Sequence, residues 1–234
     1  MSLGKGIKDG LAIGLGYLSV SFSFGILAVS SGLSWWQAVL ISLTNLTSAG
    51  QVAAVGIMGA AGGLIEMAVT TLVINMRYSL MAISLSQKTD ETMTTPARLV
   101  TGFVITDEIF GVASGSDKPI SRNYMLGLGI LPIAGWVLGT LLGAVCGNIL
   151  PPVVTNALTI SIYGMFIAIV LPVAAKSKAV FIVSLISVCM STAFYYVPFL
   201  NKTVSSGFAI IICSVAAAVT GAVFMPAKEE EQNG

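Results

Sequence analysis

"TTLVINMRYSLMAIS" (residues 70–84) is apolar enough to enter a bilayer, yet Asn75 and Arg77 stand in its middle. An arginine near the centre of a membrane helix costs about 2.5–3.5 kcal/mol on insertion scales. The rest of the chain decides which solvent this stretch meets. Of 234 residues, 56% are hydrophobic and only 9% charged, and mean hydropathy is +0.94. A soluble domain carries about 25% charged residues, so this surface cannot face water. Apolar runs of about 20 residues recur along the chain, each long enough for a hydrocarbon core of about 30 Å. The fold class that follows is all-α, a polytopic membrane helix bundle.

Composition also removes function classes. Histidine is absent, which excludes His-based triads, HExxH metal sites and the easiest proton shuttle. Cys146, Cys189 and Cys213 lie inside apolar runs without metal-ligand spacing and read as small buried hydrophobes. No metal site and no cofactor is expected, and no nucleophile–base pair marks an enzyme. Net charge is +1, without a basic arm for nucleic acid.

Eight apolar segments stand out: 11–29, 35–58, 63–86, 97–115, 123–147, 155–175, 179–199 and 205–225. Their loops are short, so residues 1–226 form a single integral membrane transport domain and 227–234 a polar, disordered tail. Lys5 and Lys8 precede an apolar run, but no small-residue cleavage site follows, and the run reads as an uncleaved first helix. With eight crossings and a cytoplasmic N-terminus, Lys5, Lys8, Lys118, Arg122, Lys176, Lys178 and Lys228 fall inside, against Lys88, Arg98 and Lys202 outside. That arrangement satisfies the positive-inside rule. Were segment 97–115 re-entrant instead, the same count would favour an external N-terminus.

Polar residues gather in three segments. "SLTNLTSAGQ" (42–51) holds Asn45, Ser48, Gly50 and Gln51, and reads as a broken helix lining a cavity, with Gly50 permitting the break. In the next segment Asn75 and Arg77 point in nearly opposite directions on a regular helix. Thr71, Asn75 and Tyr78 share one face, and Thr70, Arg77 and Ser84 another. Either this helix is buried on both sides or it breaks near 75–78. Glu66 lies three turns from Arg77, too far to pair with it, and is expected near a helix start. "FVITDEIFGV" (103–112) supplies the counter-ion: Asp107 and Glu108 project about 100° apart, so one can face Arg77 and the other a cavity. Two acids with one base leave an excess charge that a proton could remove. Gly135, Gly139, Gly143 and Gly147 recur every four residues, the pattern of close helix contact, internal or with a separate small subunit. The two halves of the chain show no convincing repeat.

These residues bring a family into view. "FGILAVSSGLS" (24–34), "SAGQVAAVGIM" (48–58), "NMRYSLMA" (75–82), "TDEIF" (106–110) and "GWVLGTLLG" (135–143) resemble, in order, the AzlC family, the large subunit of bacterial branched-chain amino-acid transporters. Family members often carry proline before the Phe-Gly, where Ser23 stands here. The resemblance implies export of leucine, isoleucine or valine across the bacterial plasma membrane, with a small four-helix AzlD-like membrane subunit as partner. It carries Gly50, Gln51, Asn75, Arg77, Asp107 and Glu108 over as motif positions. The rivals are a channel, an exporter of another small metabolite, and an intramembrane enzyme.

Overall fold

The structure, a computed structural model, describes residues 1–147 and 149–225. The expected tail over 227–234, and its boundary at 226, lie outside the described residues. Among those residues the chain is helical, with no β-strand. Helix α1 (Leu3–Ser30) is followed by α2 (Trp35–Thr44), α3 (Ser48–Gly59) and α4 (Leu64–Ser86). Next come α5 (Thr95–Gly102), α6 (Asp107–Ser114), α7 (Arg122–Cys146) and α8 (Pro152–Lys176). The last three are α9 (Lys178–Tyr196), α10 (Pro198–Thr203) and α11 (Ser206–Phe224). Helices α1, α4, α7, α9 and α11 are long and apolar enough to cross a membrane, and α8 has 25 residues.

Segment 35–58 breaks, as its polar run suggests, but the cause is Asn45 rather than Gly50. Asn45 leaves the helix in an extended conformation (φ −146°, ψ 115°). Its Oδ1 accepts from Thr47 N–H at 3.0 Å and from the Thr47 hydroxyl at 2.7 Å. This local turn replaces the helical ladder with side-chain bonds. Gly50 lies inside α3, where a Cβ would sit 3.1 Å from Asn75 Oδ1. It admits a neighbour instead of a bend.

The break expected near 75–78 does not occur, since α4 runs unbroken from Leu64 to Ser86. The helix holds no glycine or proline, and polar side chains alone do not remove the backbone bonds that maintain it. Glu66 occupies its first turn, as expected, and also accepts from Gly207 N–H at 3.0 Å and from the Ser205 hydroxyl. One carboxylate thereby joins the starts of α4 and α11.

Segment 97–115, expected as a crossing, is a re-entrant pair. Its helices α5 and α6 have eight residues each, about 12 Å at 1.5 Å per residue, too short to cross. The chain before and after them meets on one side. Asp90 N–H donates to Ile120 O at 3.0 Å and Ile120 N–H to Lys88 O at 2.8 Å. Lys88 Nζ donates to Ser114 O at 2.6 Å, and Ser121 Oγ donates to Met1 O at 2.6 Å. The N-terminus, residues 88–92 and residues 114–122 therefore share one membrane face, here the near face. Helices α2 and α3 form the matching pair at the far face, where a Cβ on Gly59 would lie 3.4 Å from Ser31, just past the end of α1. Segment 35–58, also expected as a crossing, therefore re-enters too, and with both segments re-entrant the N-terminus stays on the lysine-rich side. Residues 3–59 and 64–114 thus follow one plan in opposite directions: a crossing helix, then a re-entrant pair on the side where it ends. That repeat leaves little echo in the sequence.

The glycine row is internal. A Cβ on Gly135, Gly139 or Gly143 would fall under 3.0 Å from the backbone of Gly14, Leu18 or Phe22. On α1, Gly6, Gly14 and Gly25 meet the α7 backbone reciprocally near Tyr124, Leu131 and Thr140. The two helices run parallel at constant register. Because α1 covers the row, a separate subunit cannot dock there, which corrects the alternative reading of these glycines.

Two predictions follow from this packing. Gly→Ala inside a helix is ordinarily favourable, but Gly139→Ala should destabilise by about 1–3 kcal/mol through overpacking. Gly16→Ala, which meets open space, should not. Thermal unfolding in detergent would show this. Single cysteines placed at Lys5, Glu91 and Ser116, after replacing Cys146, Cys189 and Cys213, should label from one side of the membrane. Gly32 and Asn201 should label from the other. Labelling of positions 91 and 116 from opposite sides would overturn the re-entrant pair.

Candidate functional site

The bends of the two re-entrant pairs meet inside the bundle. Leu46, in the α2–α3 bend, packs with Tyr17 of α1 and Trp136 of α7. Thr106, ending the α5–α6 bend, lies with its Oγ1 2.6 Å from the Tyr17 hydroxyl. Tyr17 is 7% exposed and stacks edge-on against Trp136 at 5.1 Å between ring centroids. The second helix of each pair starts here, with Thr47 and Thr106 at the N-caps.

Helix α6 begins with Asp107 and Glu108, where the helix dipole favours acids. Thr106 Oγ1 accepts from Ile109 N–H and closes the first turn. The two carboxylates reach different crossing helices. Asp107 Oδ2 lies 2.8 Å from Arg77 Nη2 of α4, with side chains 22% and 39% exposed. Glu108 accepts a hydrogen bond from the Tyr17 hydroxyl of α1. Arg77 also donates to the Tyr78 hydroxyl at 3.1 Å, and its guanidinium stands 5.0 Å from the Tyr78 ring centroid. Arg77 Nε is buried without a protein partner.

On the other face of α4, α3 packs against it. Gly50 brings the first turn of α3 against Asn75, whose Oδ1 is buried and unpaired. Ser48 is the first residue of α3 and is half-buried, and Asn45 makes the turn before it. The structure thus forms two groups: Asn45, Ser48, Gly50 and Asn75 at the α2–α3 bend, and Arg77, Tyr78, Asp107 and Glu108 at the α5–α6 bend, with Asn75 and Arg77 on nearly opposite faces of α4. Gln51 belongs to a separate arrangement. It is fully buried, donates to Ser42 Oγ at 3.1 Å and accepts from Trp136 Nε1 at 2.9 Å. Ser42 lies 2.7 Å from Thr140 Oγ1, which donates to Trp136 O at 2.9 Å. This closed neutral ring fastens the α2–α3 pair to α7.

Tyr17, Thr106 and Trp136 did not stand out in the sequence. Thr106 carries a recoverable signal, a threonine directly before an acidic first turn. Tyr17 carries none, because a tyrosine in an apolar run reads as core. No group of three His, Cys, Asp or Glu side chains with metal-holding geometry occurs among the described residues.

A family model described as "AzlC protein" matches residues 12–150. The chain is 28% identical over 148 residues to "Inner membrane protein YgaZ" of Escherichia coli (strain K12), covering 62% of this chain and 60% of that protein. It is 31% identical over 170 residues to an uncharacterized membrane protein of Archaeoglobus fulgidus, covering 72% of this chain and 74% of that one. A Helicobacter pylori (strain 26695) membrane protein is 26% identical over 151 residues, 62% of this chain and 65% of its own. No solved structure matches.

The pairing of Arg77 with Asp107 is directly testable. Arg77→Gln or Asp107→Asn alone leaves one charge uncompensated in a poorly solvated place and should lower the yield of folded protein. The double variant should recover it. Yields measured by fluorescence size exclusion that show no recovery would mean the two charges are not coupled.

Proposed function

The chain belongs to the AzlC family, and we propose that it exports leucine, isoleucine or valine as one subunit of a proton-coupled secondary transporter. Its coarser character, a membrane protein of transporter type, follows from the family and from the membrane proteins it resembles. The observation that carries the finer reading is the mixed-sign cluster of Arg77, Asp107 and Glu108 where two re-entrant bends meet. A zwitterion needs a cation for its carboxylate, an anion for its ammonium and apolar room for its side chain. Arg77 offers a planar fork suited to a carboxylate, and its Nε is unused. The excess acid balances an ammonium. Irregular backbone is tolerated at this depth because it is enclosed by protein.

The orientation follows from charge. Lys5, Lys8, Lys88, Arg98, Lys118, Arg122, Lys176 and Lys178 belong to the near face, and Lys202 alone to the far face among the described residues. The near face, with the N-terminus, is the cytoplasmic side by the positive-inside rule, and the membrane is the bacterial plasma membrane. The partner in this reading is a small AzlD-like membrane subunit, supported by the family and not by the glycine row.

Proteoliposomes containing this chain with its small partner should show counterflow of radiolabelled leucine, isoleucine or valine, accelerated by unlabelled substrate on the opposite side. A channel shows no such acceleration. Arg77→Lys should lower the rate by about tenfold or more, because an ammonium cannot present a bidentate fork. Wild-type vesicles without counterflow for any of the three amino acids would reject the reading.

A further inference from the structure

The α5–α6 pair is held differently from its counterpart. A closed ring of neutral, fully bonded groups fixes α2–α3 to α7, whereas α6 is held by two acids, one on each of two crossing helices. Asp107 already has a cation. Glu108 has a neutral phenol, so its carboxylate is the one whose charge no partner cancels.

The Tyr17 hydroxyl has two neighbours within hydrogen-bonding distance, the Glu108 carboxylate and Thr106 Oγ1. It has one proton to donate. With Glu108 ionised, that proton points to the carboxylate. When Glu108 gains a proton, its new O–H can donate to the tyrosine oxygen, and the tyrosine proton turns to Thr106 Oγ1. In both protonation states the Tyr17 hydroxyl then keeps a bond to Glu108 and one to Thr106, with the Tyr17 and Thr106 hydroxyl protons rotating. A buried acid with a single fixed donor would satisfy only the ionised state.

We propose that Glu108 is a proton-binding site and that Tyr17 is its positioning residue, a two-way hydroxyl that serves the carboxylate in one state and Thr106 in the other. The proton adds to a Glu108 oxygen and leaves the same way, so no other bond changes. Other titratable or charged groups around Glu108 are few. Asp107 lies on its own helix, Arg77 and Tyr78 on α4, and Asp9, two turns from Tyr17 on α1, is bonded to Tyr124 of α7 at 2.9 Å. Asp9 and Tyr124 line a near-face cavity of about 310 Å³ together with Val112, which stands one turn beyond Glu108 on α6. Lys5, Asp117 and Lys118 line the same cavity, which Glu108 itself does not. The transport reading bears on this inference only in what the proton drives.

The test reads protonation and not transport. Infrared spectra of the purified full-length protein, titrated with pH, should contain a protonated-carboxyl band that Glu108→Gln removes. Tyr17→Phe keeps the ring against Trp136 but deprives the ionised state of its donor, so the midpoint should rise by about one pH unit. Thr106→Ala strands the tyrosine proton in the protonated state and should move the midpoint down, while Thr106→Ser should leave it in place. If Thr106→Ala does not fold, Tyr17→Phe decides alone. No Glu108 band, an unmoved midpoint in Tyr17→Phe, or shifts of the same sign in Tyr17→Phe and Thr106→Ala would overturn the proposal. Absent counterflow in wild-type vesicles would reject the export reading without altering this titration, so the two failures are distinguishable.

Discussion

Backbone inside a bilayer tolerates a broken helix only where protein, not lipid, receives the freed N–H and C=O groups. This chain breaks twice at depth, at 45–47 and at 103–106, and the rest of the structure follows from where those bends can hide. Helices α1 and α7 supply the shelter. Glycines on both faces bring them so close that they act as one rigid wall, and Tyr17 and Trp136 project from it over the two bends. Each bend also carries its own means of satisfaction, an asparagine turn in one and a threonine cap in the other.

The two bends differ in charge. The first is fixed by a ring of amide, hydroxyl and indole groups that no change of pH disturbs. The second is fixed by the carboxylates of Asp107 and Glu108. The cost of burying Arg77 is offset by Asp107, by the Tyr78 hydroxyl and by a ring face, which explains why a lone base persists in the middle of α4.

Much of this was legible in the sequence because local rules govern it. The apolar runs gave the membrane, the polar run at 42–51 marked a break, and the adjacent acids Asp107 and Glu108 offered one partner for Arg77. The remainder depended on contacts distant in sequence. Re-entrance of segment 97–115 rests on bonds between Lys88, Asp90 and Ile120, and apolar length alone cannot separate a crossing from a hairpin of two short helices. The expected break at 75–78 treated polar side chains as if they were backbone signals. Gln51 looked like a cavity residue because a buried amide and a lining amide have the same sequence signature. Tyr17 was hidden for the opposite reason: its chemistry resides in a neighbour 91 positions away.

The inverted plan of residues 3–59 and 64–114 gives the charge cluster its mechanical meaning. Each re-entrant pair enters the bundle from one side as two short helices and not as a whole crossing segment. The near-face pair has ionisable contacts and the far-face pair does not. The near-face pair is therefore the one whose anchoring depends on charged groups. Helix α4 links the two pairs, carrying Asn75 against one and Arg77 against the other.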